Sequence, residues 1–347
     1  MATLKDVAAL AGVSMSTAGA AMRGEDIVKA ATKEKVLAAA RELGYSANLS
    51  ARFLKKGSTG AIAVMVPDIL HPYYTNLVSA VCDAAGKHGL RTVIQQTGYS
   101  STTESDVLKQ INATLCDGLI LNVNNVDDRH LRGMLGNHPT VLLNYPAAEP
   151  LFDTVRGAAA SGASTAFGYL CGRGYRHACV VGGRAFDRND PDTSGRNDGI
   201  RYVMEAMQSN GLGGDGDFTE CNWSVAGGIE AAHALCAAGD DGTRAVDRYD
   251  VFYCMNDLVA YGLIRGLHDE GVRVPDDVAV FGHDGIFGSG VMSPPFTVPT
   301  LTTVGIDYED TATKAVNMLI DQIKHPGRAR TPRIETARSR LIIGESA

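Results

Sequence analysis

From Ala61 onward the chain alternates short apolar runs with amphipathic stretches, and this alternation constrains the fold more than any other feature. Ala61 to Val66, Thr92 to Ile94, Gly118 to Leu121, Thr140 to Leu143, Ala178 to Val181, Val251 to Tyr253 and Val278 to Phe281 are apolar or nearly so. Runs with no polar alternation read as strands buried on both faces, and the helical stretches between them supply the covering layers, so the pattern predicts doubly wound α/β sheets with parallel strands. In such sheets ligands bind beyond the carboxyl ends of the strands. The residues at those exits are Asp68, Asn122, Asn144, Arg184, Asn256 with Asp257, and His283 with Asp284. A single polar strand exit is more often plain surface; the recurrence of polar residues at successive exits is what points to a site.

The first 54 residues are of a different kind. Leu4, Val7, Ala8 and Ala11 recur at helical spacing, Gly12 permits a sharp turn, and Ser14 can cap the N–H groups of a second helix starting at Met15. A helix, a turn and a second helix in this order form an element that can enter the DNA major groove with the second helix N-terminus first, which makes Met15, Ser16 and the next turn the base-facing residues. An ordinary helical hairpin is the competing reading. A third amphipathic helix is predicted over about Ala30 to Leu43, carrying Val36, Leu37 and Leu43 and stopped by Gly44. Tyr45 to Gly57 is too short to be stably helical alone and reads as a linker that folds on a target.

Charge follows the same division. Residues 1–60 hold nine Lys+Arg against five Asp+Glu, while the remainder holds 23 against 34, within an overall net charge of -7. The positive excess falls where phosphates would lie, and the acidic remainder would repel DNA. No apolar run approaches the roughly 20 residues of a membrane span, and Met1 is followed at once by a polar amphipathic helix, so export and membrane insertion are not expected. The seven cysteines, Cys82, Cys116, Cys171, Cys179, Cys221, Cys236 and Cys254, are scattered without a C-x-x-C pair. They read as reduced thiols of a cytoplasmic protein, with no metal site.

The N-terminal stretch resembles the start of LacI-family transcriptional regulators, T-[IL]-x-D-V-A-x-x-A-G-V-S-x-x-T followed later by E-K-V-x-x-A-x-x-x-G-Y-x-P-N-x-x-A-R-x-L. Thr3, Asp6, Val7, Ala8, Ala11, Gly12, Val13, Ser14 and Thr17 match the first half; Lys35, Val36, Ala39, Gly44, Tyr45, Asn48, Ala51, Arg52 and Leu54 match the second. The resemblance implies a helix-turn-helix headpiece over 1–46 and a hinge helix or linker over 47–58. It assigns DNA contacts to Thr3, Ser14, Met15, Ser16, Thr17, Ala20, Arg23, Asn48, Ala51, Arg52, Leu54 and Lys55. Leu54 would be the apolar wedge that kinks the duplex from the minor groove. Departures fall on the reading face: the arginine commonly used to read a base is Ala20 here, Gly19 weakens the helix by roughly 1 kcal/mol relative to Ala, Ala47 replaces the hinge proline, and Lys29 stands at a capping position. Arg23, three and four residues after Ala20 and Gly19, is the candidate to compensate for the missing arginine.

The resemblance extends over essentially the full chain. Pro67 to Tyr74 is similar to P-D-x-x-N-P-F-F with His71 in place of Asn. Ser194 to Gly199 matches S-x-R-x-x-G, Asn256 to Ala260 matches N-D-x-x-A, Pro275 to Asp284 matches P-D-D-[VI]-x-V-x-G-[FY]-D, and Leu341 to Ser346 resembles L-x-x-R-E-S. What this implies is an α/β two-lobed, periplasmic-binding-protein-like effector and dimerisation domain over 59–347, with lobe 1 at about 59–158 and 298–325 and lobe 2 at about 159–297 and 326–347. Arg196, Asp257 and Asp284 would clamp the polar groups of an effector, Tyr73 and Tyr74 would line the first lobe, and Asp68, His71, Asn122, Asn144 and Asn256 would complete the rim. Trp223, the only tryptophan, would pack its face against the ligand; the alternative is a core residue. Ala158-Ala159 replaces the family's Asp-Asn in the first crossover, so part of the usual polar network is missing.

Other motifs carry less. Gly211 to Gly216 contains G-x-G-x-x-G but follows a helix rather than a strand, so it is a turn and not a dinucleotide loop. The histidines lack metal-ligand spacing, and no G-x-S-x-G elbow is present. With neither an activated nucleophile nor a cofactor loop, the chain is not expected to be an enzyme and no cofactor is implied. The expected function is that of a cytoplasmic, homodimeric DNA-binding transcriptional regulator, in the first place a repressor. It would act on a pseudopalindromic operator and be controlled by a small-molecule effector that the resemblance makes sugar-like. The alternative is a cytoplasmic sensor of the same fold whose DNA binding has weakened or been lost, motivated by Gly19 and Ala20.

Overall fold

The structure, a computed structural model, describes residues 2–45, 58–111, 115–123, 125–184, 195–214, 216–239, 242–287, 299–328 and 330–347; side chains 195–198 lie outside the description. The chain forms two compact units, Met1–Thr59 and Gly60–Ala347.

The described residues of the first unit carry three helices: α1 Leu4–Leu10, α2 Met15–Met22 and α3 Ala30–Glu42. Thr3 caps α1 in a reciprocal box with Asp6, the Thr3 N–H donating to the Asp6 carboxylate at 2.8 Å. Gly12 makes the turn at φ +67, and the Ser14 hydroxyl accepts from the Thr17 N–H at 3.1 Å to start α2. α3 starts at Lys29 with no side-chain cap. Val7, Ala8, Ala18, Ala21, Val36, Ala39 and Ala40 close a small core, so the three short helices stabilise one another where none would persist alone.

The second unit contains two six-stranded sheets. The first comprises β1 Ala61–Val66, β2 Arg91–Gln96, β3 Gly118–Leu121, β4 Thr140–Leu143, β5 Asp153–Arg156 and β11 Ile334–Thr336; the second comprises β6 Ala178–Val181, β7 Phe218–Thr219, β8 Val251–Cys254, β9 Ala279–Asp284, β10 Thr302–Ile306 and β12 Ser339–Ile342. Strand orders are β11-β5-β4-β3-β1-β2 and β12-β10-β9-β8-β6-β7. Among the described strands the pairings are parallel except that of β10 with β12. Each order reverses once, at β1/β3 and at β6/β8, and a topological switch point of this kind leaves a crevice beyond the strand ends.

Between the strands run α4 Pro72–Gly86, α5 Ser101–Gln110, α6 Asp128–Leu135, α7 Ala159–Arg173, α8 Gly195–Ser209, α9 Val225–Cys236, α10 Asp257–Asp269 and α11 Tyr308–Lys324. Apolar clusters fill both faces of each sheet. The helix start at Ala159 has no side-chain cap, as the replacement of the usual polar pair by Ala158 and Ala159 implies.

The lobe limits expected from the sequence need correction. β10 pairs with β9 in the second sheet, although 298–325 was expected in the first lobe; β11 pairs with β5 in the first sheet, although 326–347 was expected in the second. The chain crosses between sheets at Gly157–Ala158, at Asp307 and at Ala337–Arg338. These crossings lie side by side, since the Ala337 N–H donates to the Arg156 carbonyl at 2.8 Å and the Asp307 N–H to the Arg338 carbonyl at 2.9 Å.

Candidate DNA-reading face and candidate effector cleft

In the headpiece, Met15 is 55% exposed and Ser16 is exposed at the start of α2. The Ser14 hydroxyl is engaged with Ser16, Thr17 and the Thr17 amide, all within 3.1 Å. Thr3 is held in its capping box. Ala20 is a correction: it is 8% exposed, and its carbonyl accepts from the Glu25 N–H at 3.1 Å, so this position does not present a side chain to bases. Arg23 is on the exposed surface but is ion-paired with Glu25, Nε to Oε1 2.5 Å. Asn48, Ala51, Arg52, Leu54 and Lys55 lie outside the described residues.

In the second unit the exits of β1 and β3 place Asp68 and Asn122, and α4 begins directly after the β1 exit. His71 is its N-cap, with Nδ1 accepting from the Tyr73 N–H at 3.3 Å; burial lowers the imidazole pKa below its usual value. His71, Tyr73, Tyr74, Tyr99 and Tyr308 form a chain of edge-on ring contacts with centroids 4.9 to 6.4 Å apart. The Tyr73 hydroxyl meets Asn144 Nδ2 at 2.6 Å. Asn144 has φ +54, a conformation that Asn tolerates better than most residues, and a Cβ at position 157 would lie 2.8 Å from its Oδ1, so any residue larger than Gly157 would displace the Asn144 amide.

On the second sheet the decisive element is the turn after β9. Asp284 has φ +98, a left-handed backbone that costs energy in any residue but glycine. Asp257 holds it. The Asp257 carboxylate accepts from Thr303 Oγ1 at 2.6 Å and from the Ile286 N–H at 2.8 Å, and also from the Gly285 and His283 amides. It is 1% exposed, and burial pushes its pKa up to about 7. Asp257 is therefore corrected from an effector clamp to the staple that shapes the turn carrying Asp284.

Asn256 caps α10, its Oδ1 accepting from the Val259 N–H at 2.8 Å, while its Nδ2 is buried with no hydrogen-bond partner. The Asp284 carboxyl is pushed well above the carboxylate range by burial and then by the nearby Asp257 charge. Trp223 spends its indole N–H on the Gly182 carbonyl at 2.8 Å and packs against both second-lobe cores, half-buried. The side chain of Arg196 lies outside the described residues.

Two contacts missed by sequence reasoning join the lobes. Asn76 Nδ2 donates to the Ile286 carbonyl at 2.8 Å, and the Tyr308 hydroxyl donates to the Asp284 carbonyl at 3.1 Å. The signal for Asn76 was a lone amide on the apolar face of α4, beside Leu77 and Val78; nothing local marks Tyr308. His283, next to Asp284, shares a 2.5 Å hydrogen bond between its Nδ1 and the Tyr253 hydroxyl, and burial lowers its pKa to about 4.

The fold therefore favours neutral His283. Its contribution is fully present above the ordinary histidine pKa near 6.5 and is lost as pH falls through about 4, at about 1.4 kcal/mol per unit. Asp257 titrates in the opposite sense, because its raised pKa makes it a stabilising neutral acid as pH falls. The pH dependence of urea stability is expected to differ between wild type and His283→Gln by up to about 3 kcal/mol across pH 4 to 7. Parallel pH profiles would refute a buried neutral histidine.

No described helix is long and apolar enough to cross a membrane, and among the described residues no His, Cys, Asp and Glu cluster could hold a metal ion. Residues 3–48 match the family model for bacterial regulatory proteins of the lacI family, and residues 167–347 match the periplasmic binding protein-like domain. The chain is 27% identical over 348 residues to the HTH-type transcriptional repressor PurR of Photobacterium profundum, covering 100% of this chain and 98% of that one. It is 29% identical over 332 residues to the ribose operon repressor of Escherichia coli, covering 94% of each. Among solved structures, the lac repressor dimer bound to operator and the anti-inducer ONPF superposes with a TM-score of 0.79 at 21% identity, over 99% of this chain and 98% of that one, and shares its fold. A capped helix-turn-helix unit and a two-lobed α/β unit, matched by these family models and relatives, place the chain in the lacI family of bacterial regulatory proteins, as a DNA-binding transcriptional regulator.

Proposed function

We propose that the chain is a cytoplasmic, homodimeric repressor whose operator affinity is set by a hydroxyl-rich effector, a sugar or sugar derivative, seated between the lobes. The observation that carries this reading is the cleft's composition. The Asp284 carboxyl stands on a turn tied down by Asp257, near enough to Tyr73 and Tyr74 of the first lobe for its charge to act on both hydroxyls, and Tyr73 in turn is bonded to Asn144. Carboxyl and amide groups take the hydroxyls of such a ligand, and aromatic faces take its C–H surface. Asp68, His71 and Asn122 supply further polar groups at the first-lobe exits, and the buried, unpartnered Asn256 Nδ2 offers a donor from the second. Arg196 and Trp223 complete the set by resemblance, and one relative is named for a ribose operon.

Ligand binding would change the angle between the lobes about the three adjacent crossovers, and with it the pairing of two hinge segments on DNA. Dimerisation is supported by β2, an edge strand with Val93 and Ile94 41% and 45% exposed: an uncovered apolar edge is a surface that proteins pair or protect. A two-fold dimer presents two recognition helices to a pseudopalindromic site.

Titrating sugars, sugar phosphates and nucleosides while following Trp223 fluorescence and, in parallel, anisotropy of labelled promoter DNA tests the reading. A ligand should shift both signals, and Asp284→Asn should weaken its effect at least tenfold. A ligand that changes DNA binding equally in Asp284→Asn and wild type would remove Asp284 from the site. The burial of Ala20 favours a second reading, a sensor with weakened or lost DNA binding; failure to find salt-sensitive specific binding at low salt, with or without ligand, would select it.

A further inference from the structure

Met15, Gly19 and the C-cap Arg23 recur every four residues, on a stripe of α2 beside the one in which Ala18 and Ala21 fill the headpiece core, and Gly19 itself is buried. No residue from Met15 to Met22 is charged, so Arg23, at the C-cap, is the cation nearest this helix's stripe in the chain. Its side chain folds back along the stripe: a Cβ at position 19 would lie 3.1 Å from Arg23 Nη1 and 3.7 Å from Leu4 Cδ2. Gly19 thus leaves the space that the guanidinium covers.

The acid that holds the guanidinium there is itself fixed. Gly24 turns the chain at φ +77, its carbonyl accepts from Lys33 Nζ at 2.8 Å, and the Glu25 N–H is tied to the Ala20 carbonyl at 3.1 Å. From this locked turn Glu25 Oε1 takes Arg23 Nε at 2.5 Å, with both side chains nearly half exposed. An arginine held through Nε keeps its terminal nitrogens for a second acceptor, and guanidinium forks suit guanine edges and phosphates.

We propose that Glu25 is a positioning residue that holds Arg23 across Gly19, so that its terminal nitrogens meet a guanine edge or phosphate and supply the contact that buried Ala20 cannot make. This rests on the reading of the headpiece as DNA-binding and deepens it: Gly19, Arg23 and Glu25 act as one specificity unit. The pairing also raises the arginine pKa and lowers that of the glutamate, so the pair stays charged.

The test uses the full-length chain. Wild type enriches duplexes from a random-sequence pool at low salt, with and without the sugar, sugar phosphate and nucleoside panel, and the best duplex is titrated against an unrelated one. Arg23→Ala should lose at least tenfold in affinity for the enriched duplex, with a salt dependence lower by about one phosphate contact. Glu25→Gln should lose at least threefold on the enriched duplex while binding the unrelated one as well as wild type or better, because a negative charge has gone and so has the orientation. Gly19→Ala should raise the thermal midpoint, through helix propensity, yet weaken the enriched duplex threefold or more.

Tighter binding of both duplexes by the same factor in Glu25→Gln would show that Glu25 merely competes with DNA, and would overturn the proposal. Unchanged affinity in Glu25→Gln and Gly19→Ala would overturn it as well, with DNA binding itself left standing. If wild type enriches no sequence, the DNA-binding reading fails and the proposal falls with it.

Discussion

Asp257→Ala is expected to cost the second lobe about 4 kcal/mol. The carboxylate satisfies the Thr303 hydroxyl and the amides of His283, Gly285 and Ile286, all inside the protein. Leaving a buried donor unpaired costs about 1–3 kcal/mol, and relaxation makes four such losses less than additive. The left-handed backbone at Asp284 would also lose its restraint, so ligand response should fall with stability. Trp223 is the only tryptophan and sits in this lobe, so its fluorescence in a urea titration reads the change directly. A loss below about 1 kcal/mol would mean that the donors find other partners, and the staple role would not survive.

Gly262→Ala is expected to be comparably damaging, by about 3 kcal/mol or more, against the ordinary preference of helices for alanine. A Cβ there would lie 2.1 Å from the Val225 carbonyl oxygen, and one at Gly228 on the facing helix 2.2 Å from the Val259 carbonyl. The obstacle in each case is backbone, which cannot rotate away. Together with Gly266, whose added Cβ would meet Ala232 Cβ at 2.5 Å, these glycines let α9 and α10 touch main chain to main chain. Gly168→Ala is the control: it is exposed on α7 with nothing within 4 Å, and should gain about 0.5–1 kcal/mol. If Gly262→Ala and Gly168→Ala shift the urea midpoint in the same direction, close helix packing is not what Gly262 is for.

Legibility in the sequence follows the range of the interaction. The caps at Thr3 and Ser14 and the turn at Gly12 involve neighbours three or four residues apart, so their residue types announce them. The same is true of the strands whose apolar runs are buried on both faces. β5, Asp-Thr-Val-Arg, was not legible, because the buried Asp153 is neutralised by Arg333 at 2.6 Å from the far end of the chain. β10 and β11 were expected in the opposite lobes, because their partners are decided by how the chain crosses between sheets. The candidate site divides the same way. Polar strand exits mark Asp68, Asn122, Asn144 and Asp284, but composition could not separate Asp257, which points inward, from Asp284, which carries the turn it shapes.

The amino-acid sequence by itself thus determined the architecture: a basic helical headpiece and an acidic α/β unit with polar strand ends, because periodicity, capping and burial pattern are written in near neighbours. Only the tertiary structure decided which polar groups are available. It placed Ala20 out of reach, bound Arg23 to Glu25 over Gly19, sank Asp257 beneath Asp284 and brought Asn76 and Tyr308 to the second lobe. Those roles depend on desolvation and on partners up to 210 residues apart, and neither quantity exists until the chain has folded.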